Sequence, residues 1–213
     1  MKTAEIYLKA IELNPENPGA YLNLSCMLSA KNEHAVNVAG VTMTRLDLSL
    51  RAITLAITLN PSNLRDLSIY YINLTHLLYV NDQYTVAIQG QQKTIIDIAL
   101  TALELDTTSA IAYGNLADVL LKYKHNHITV TINSKSKPMS PIDLCLKAIH
   151  LDLKLAMTYS GLGKALRAEG RDCIELDGHT MSCIALHLKT IELDKGYSYA
   201  YLNLADELLY QGV

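Results

Sequence analysis

The chain contains no phenylalanine and no tryptophan; its aromatic content is thirteen tyrosines. Leu, Ile, Val, Ala and Tyr must therefore fill any core, which suits thin layers of helices better than one deep centre. No stretch approaches the roughly 20 uninterrupted apolar residues of a membrane span, because Asn, Asp, Thr or Lys breaks each leucine-rich segment. Met1-Lys2-Thr3-Ala4-Glu5-Ile6-Tyr7 has neither the apolar run nor the small-residue cleavage site of a secretory signal. Cysteine is sparse as well: Cys26, Cys145, Cys173 and Cys183 form no CxxC pair, so free thiols in a reducing, cytoplasmic setting are expected. Charge of one sign is also lacking. The net charge of −3 and pI of about 6.1 give no footing for a phosphate backbone or an acidic membrane, and no nucleic-acid or membrane partner is expected. With half its residues hydrophobic, the chain is nonetheless not a disordered tail.

What is present is repetition. Five segments align: Ala20-Tyr21-Leu22-Asn23-Leu24, Tyr70-Tyr71-Ile72-Asn73-Leu74, Ala112-Tyr113-Gly114-Asn115-Leu116, Thr158-Tyr159-Ser160-Gly161-Leu162 and Ala200-Tyr201-Leu202-Asn203-Leu204. The aligned tyrosine of each falls 50, 42, 46 and 42 residues after the one before. A second motif precedes each segment, as in Lys9-Ala10-Ile11-Glu12-Leu13-Asn14 and Lys189-Thr190-Ile191-Glu192-Leu193-Asp194. The period predicts one array over residues 1–213, with repeats near 18–60, 61–108, 109–153 and 154–195 and half repeats at 1–17 and 196–213. The second repeat doubles Ala52-Ile53-Thr54-Leu55 into Ala56-Ile57-Thr58-Leu59, which adds about one helical turn. Another four residues near Asn63 to Asp66 lengthen the next connection or helix start, and a polar insertion within His125 to Lys137 is expected in a loop.

Each repeat reads as two helices. Ala200, Tyr201, Leu204, Ala205 and Leu208 keep the i, i+3/i+4 spacing of one apolar face, and Ile184 through Leu193 supplies the second helix. Thr44-Arg45-Leu46-Asp47, Thr94-Ile95-Ile96-Asp97 and Ser140-Pro141-Ile142-Asp143 mark helix starts, each a capping hydroxyl with an acid three residues later. Between the helices, Val36 to Met43, Val86 to Gly90, Val130 to Ser134 and Ile174 to Gly178 alternate apolar and polar residues, the period of a strand. These predict a short β-hairpin in each repeat, stacked on its neighbours or joined in a ribbon; an ordered loop that seals the helix pair is the alternative.

The run Ala-Tyr-x-Asn-Leu followed by Lys-Ala-Ile-Glu-Leu-Asn-Pro resembles the tetratricopeptide repeat family over essentially the whole chain. Asn14-Pro15 and Asn60-Pro61 are similar to that family's closing proline, and the five aligned tyrosines stand where it usually has Trp. The departures are a unit about eight residues longer than the family's, and Ser49, Ala99, Cys145 and His187 in place of an inward aromatic on the second helix. Val and Ile of the hairpins are expected to fill the space left there. The resemblance implies an all-α repeat solenoid, a helix-turn-helix superhelix, here with β-hairpin insertions. It also implies a protein or peptide partner held in a concave groove lined by the first helices.

Aligned on the tyrosine, Asn23, Asn73, Asn115 and Asn203 share one position. An amide ladder there suits an extended backbone, since each amide both donates and accepts; bonding between neighbouring helices is the competing role. Three residues on stand Cys26, His76, Asp118, Lys164 and Asp206. Lys164 and Arg167 are the candidate anion holders, but the mixed signs argue against the family's carboxylate-clamp subtype. Cys173, His179, Cys183 and His187 could hold a metal in principle; their spacing matches no familiar finger, and His187 falls at a core position, so two buried thiols and a satisfied histidine are expected. No nucleophile elbow, phosphate loop, dinucleotide fingerprint or zinc-protease motif occurs, so neither an enzyme nor a cofactor is expected. Two other readings stand beside a binding scaffold: a structural repeat that self-assembles end to end into a homo-oligomer, or an auxiliary domain of a larger enzyme.

Overall fold

A computed structural model describes residues 3–30, 33–132 and 135–212. Its helices and strand pairs follow the period of the sequence. In chain order they are α1 (Thr3–Leu13), α2 (Pro18–Ala30), β1 (Ala35–Val38), β2 (Val41–Thr44), α3 (Arg45–Leu59), α4 (Leu64–Val80), β3 (Thr85–Ile88), β4 (Gln91–Thr94) and α5 (Ile95–Leu105). There follow α6 (Ala110–Lys122), β5 (Ile128–Ile132), β6 (Lys135–Met139), α7 (Pro141–Leu151), α8 (Ala156–Ala168), β7 (Cys173–Leu176), β8 (His179–Ser182), α9 (Cys183–Leu193) and α10 (Ser198–Gln211). The even-numbered helices carry the aligned tyrosines and are the first helices of the repeats; the odd-numbered ones are the second helices. The chain divides into two compact units, Met1–Leu105 and Asp106–Val213.

Helix starts are set by their caps. Thr44 Oγ1 accepts from Asp47 N at 3.2 Å while Asp47 Oδ2 accepts from Thr44 N at 2.8 Å, and the Thr94–Asp97 and Ser140–Asp143 pairs repeat this exchange. Pro141 takes the first helical position of α7. These bonds hold the Asp97 and Asp143 carboxyls below their ordinary range; at Asp97 the backbone N–H of Thr94 is the main cause, and at Asp143 partial burial works against the bonds from Ser140.

Each first helix leads into an antiparallel strand pair, and in three of the four the last strand residue caps the following helix. The pairs remain four separate two-stranded sheets, not a ribbon. Of the turn expected around Val130 to Ser134, Asn133 and Ser134 lie outside the described residues. The insertion within His125 to Lys137 is not simply a loop: much of it lies in β5 and β6, each five residues long where the other strands have four. Ala39-Gly40, Gln89-Gly90 and Asp177-Gly178 all have positive φ at both turn residues, the twist that matches right-handed strands. Ala39 holds φ +49° without the local bonding that lets Asn or Asp tolerate this region. We therefore expect Ala39→Asn to raise stability by about 0.5 kcal/mol and Asp177→Ala to lower it by a similar amount. Urea unfolding midpoints will show the two shifts with opposite sign.

The insertions of the second repeat match one another. α3 has 15 residues and α4 has 17, against 11 and 13 in the other second and first helices up to α9. Both extra turns lie at the α3–α4 connection, so this antiparallel pair lengthens together and stays in register.

Three of the five aligned tyrosines tie their helix to the turn before it, whereas the Tyr113 hydroxyl is buried with no hydrogen-bond partner among the described residues. Tyr21, Tyr159 and Tyr201 donate through their hydroxyls to the carbonyls of Pro15, Leu153 and Lys195, at 3.2, 3.1 and 3.2 Å. Each acceptor lies six residues earlier, at the closing-proline position. Tyrosine can make that bond and span the same packing gap, which is why it serves in place of Trp. In the second repeat the added helical turn moves residue 65 into α4, and Tyr71 instead lies half-buried against Ile57, Ile88 and Ile98 around a cavity of about 110 Å³.

The small residues on the second helices are accommodated by close approach. Ser49 Oγ lies 2.9 Å from Ser25 Oγ, and a Cβ on Gly161 would stand 3.3 Å from Cys145 Sγ. Val38, Val86, Ile88, Val130 and Met139 of the strand pairs are buried, while Ser49 and Cys145 are met closely by Ser25 and Gly161 of the neighbouring first helices. All four cysteines are free. No helix among the described residues is long and apolar enough to cross a membrane.

Candidate functional site

In the first compact unit, α2 and α4 carry the aligned residues side by side. Asn23 is exposed, and its amide makes no hydrogen bond among the described residues. Asn73 Nδ2 donates to the Ile69 carbonyl at 2.8 Å, one turn back, and Asn73 Oδ1 accepts from Cys26 Sγ at 3.4 Å across the helix pair. Burial pushes the Cys26 thiol up, with the Arg45 charge working against it. Partial desolvation of the His76 ring, then the same Arg45 charge, holds His76 below its ordinary value. Arg45 reaches this face from the first turn of α3. The Thr44–Asp47 start had shown only a cap in the sequence, although a base at a helix N-terminus runs against the dipole and was the available signal.

In the second compact unit the same register is dense with charge. Asn115 is half-buried on α6 with no side-chain hydrogen bond among the described residues, whereas Asp118 accepts from Lys164 Nζ at 2.5 Å. Arg167 Nε donates to Glu207 Oε2 at 2.9 Å, its Nη2 donates to Glu207 Oε1, and its Nη1 reaches Asp172 at 3.2 Å. Its guanidinium lies 3.9 Å from the centre of the Tyr210 ring. Hydrogen bonding to Glu207 raises the Arg167 pKa still further and holds the Glu207 carboxyl low in return. Lys164 and Arg167, the anion holders expected from the sequence, thus have their charges met within the protein. Asp206 is exposed beside this pair. Glu207 was not among the sequence candidates; its signal is that it stands at a helix position occupied by Met27, Leu77, Val119 and Ala165 in the other copies.

Asn203 Nδ2 donates to Ser160 Oγ at 2.8 Å, and Ser160 Oγ lies 3.2 Å from His187 Nδ1, a polar chain linking α10, α8 and α9. Asn73 and Asn203 therefore bond neighbouring helices, while Asn23 and Asn115 do not. Of the thiols and imidazoles weighed for a metal, Cys183 and His187 are buried in α9, with Cys183 Sγ 3.6 Å from the Arg171 carbonyl. Cys173 is exposed on β7, where a buried thiol had been expected, and His179 Nδ1 bonds the Asp177 carbonyl at 3.0 Å. No cluster of three or more potential metal ligands occurs among the described residues.

Tyrosine-anchored helix pairs in repeating register define a helical-repeat protein, and comparison with known proteins agrees. The sequence model of the tetratricopeptide repeat family matches residues 6–35. Among solved structures, YrrB, described as a tetratricopeptide repeat protein with an unusual peptide-binding site, is 20% identical with a TM-score of 0.53, covering 99% of this chain and 86% of its own. MamA is 16% identical with a TM-score of 0.53, covering 92% and 89%. A thermophilic tetratricopeptide repeat protein of Thermus thermophilus is 14% identical with a TM-score of 0.54, covering 97% and 89%. At these identities the structures speak for the fold. Among curated protein sequences none matches. The chain has the fold of these tetratricopeptide repeat proteins, and the family's sequence model supports that assignment over residues 6–35; in this chain each repeat also carries a strand pair between its two helices.

Proposed function

We propose that this chain is a protein-interaction scaffold that holds a peptide or protein segment on the faces of its first helices, in the concave groove of a superhelix. The observation that carries this reading is the pair of amides at Asn23 and Asn115. They stand in the same register in two copies, reach solvent, and have both donor and acceptor capacity unspent among the described residues. Such groups can pair with the backbone of an extended segment whatever its side chains. The fold shared with YrrB, itself described as peptide-binding, supports the same reading. Asp118, Lys164, Arg167 and Glu207 on these faces hold neighbouring helices in register, and a cytoplasmic setting fits the free thiols.

The test compares partner capture by the wild type and by Asn23→Ala/Asn115→Ala, which leaves the Asn73 and Asn203 bonds intact. Loss of specific partners with an unchanged melting curve is expected; identical partner lists would sink the groove. A second reading, end-to-end self-association, is favoured by the outer face of α10, where Tyr201 is 48% and Leu209 75% exposed. Sedimentation velocity over a hundredfold concentration range separates the two. Self-association requires a concentration-dependent species that Leu202→Glu/Leu209→Glu abolishes.

A further inference from the structure

The cavity of about 110 Å³ in the first compact unit lies where three departures of the second repeat meet, among α3, α4, α5 and the β3–β4 pair. Ile57 comes from the doubled turn, which the other second helices, each 11 residues long, lack. Tyr71 is the aligned tyrosine whose usual acceptor the added turn has moved. Its hydroxyl makes no hydrogen bond among the described residues, and burial pushes its pKa up, so it stays a neutral donor and acceptor. Gln91 and Lys93 stand opposite Ile88 and Val86 in the strand register, and so share the face that carries those two buried residues; β2 has Val41 and Met43 at the matching places. Asn73 lies two residues beyond Tyr71, about 200° around α4, so the cavity belongs to the other side of that helix from the amide.

The cavity is apolar at Ile57, Ile88 and Ile98 and polar at the Tyr71 hydroxyl, the Gln91 amide and the Lys93 amine, and no acid is among the residues that line it. Asp97, the acid that feels the Lys93 charge, has its carboxylate engaged by the Thr94 N–H and hydroxyl at 2.9 and 2.7 Å. An apolar cavity of about 150 Å³ holds benzene, so this smaller one takes an apolar body of about four carbons. We propose that the cavity binds a free short-chain monocarboxylate with a branched apolar body, the size of isovalerate. Its methyl groups pack on the three isoleucines, and its carboxylate is met by Lys93, the Tyr71 hydroxyl and Gln91. Burial of the body supplies the affinity, and the charge-assisted bond selects the anion over the corresponding alcohol. The site stands apart from the peptide-binding reading, since none of its residues belongs to the amide register.

The test titrates the whole protein, labelled at its isoleucine methyl groups, with four probes while NMR follows Ile57, Ile88 and Ile98. Isovalerate is the expected ligand; isoamyl alcohol has the same body without the charge, acetate the charge without the body. N-acetyl-leucine carries body and charge on the end of a peptide. Saturable shifts of the three methyl resonances with isovalerate, at a dissociation constant of about a millimolar, are expected, with the other probes at least about tenfold weaker. Lys93→Met, at an exposed position, is expected to weaken isovalerate about tenfold, to leave the alcohol unchanged and to melt like the wild type. Tyr71→Phe keeps the ring in place and is expected to weaken isovalerate about threefold. No saturable shift of these methyl groups, acetate or the alcohol binding as tightly as isovalerate, or isovalerate binding undiminished in Lys93→Met overturns the site. N-acetyl-leucine binding more tightly than isovalerate overturns the free acid as its occupant.

Discussion

Arg167→Met is expected to lower the thermal unfolding midpoint of the protein by about 10 °C, and Arg167→Met combined with Glu207→Leu to restore most of it. The argument begins at Glu207, which is only 4% exposed on α10. Taking a carboxylate out of water is expensive, and three things offset the cost: two bonds from the Arg167 fork, one from Gln211 Nε2 at 2.8 Å, and the ring of Tyr210 stacked on the guanidinium. Removing Arg167 alone strands the charge. Removing both ions replaces the pair by apolar side chains of similar volume, an exchange often neutral or better in a buried setting. Differential scanning calorimetry of the single and double variants checks this. A single variant that melts like the wild type would show that Glu207 takes up a proton or turns to solvent at no cost, and that α8 and α10 are held together by other contacts.

The repeats, the helix starts and the strand pairs were legible because each is written in contiguous residues. Thr44 and Asp47 sit three apart and cap one helix; Asp177-Gly178 closes one turn; the doubled Ala-Ile-Thr-Leu lengthens one helix by one turn. What joins one helix to another was harder to read, since it depends on two faces meeting in a particular register. Lys164 and Arg167 look like free cations in sequence because Asp118 and Glu207 lie 46 and 40 residues away. Ser49 and Cys145 look like gaps waiting for a hairpin side chain, yet the Ser25 hydroxyl and the Gly161 backbone of the neighbouring helices approach them directly. Asn73 and Asn203 share a sequence position with Asn23 and Asn115 but differ in what lies opposite, a thiol and a hydroxyl in the first two cases.

The protein should also lose stability on mild acidification, by about 2 kcal/mol between pH 7 and pH 5, through one histidine. His187 is 2% exposed on α9, packed so closely against Gly163 that a Cβ there would come within 2.8 Å of the ring. Burial lowers its pKa to about 4; Glu207 pulls the other way and Lys164 adds to the lowering. In the unfolded chain the same imidazole titrates near 6.5. The folded pKa is the lower one, so the unfolded chain binds a proton first. The stability conferred by the neutral ring is fully present above about pH 6.5, falls as the pH drops from there, and is gone below about pH 4. The whole difference corresponds to about 3 kcal/mol, most of it spent by pH 5. Glu207, Asp97 and Asp143, held low by their partners, add their own losses only at more acidic pH. Replacing the ring by leucine keeps similar bulk against Gly163, and Ser160 retains its bond from Asn203. Urea unfolding of His187→Leu at pH 7 and pH 5 should therefore show a much smaller difference than the wild type. An equal acid loss in both proteins would place the acid-sensitive group elsewhere and require that His187 be charged in the folded state.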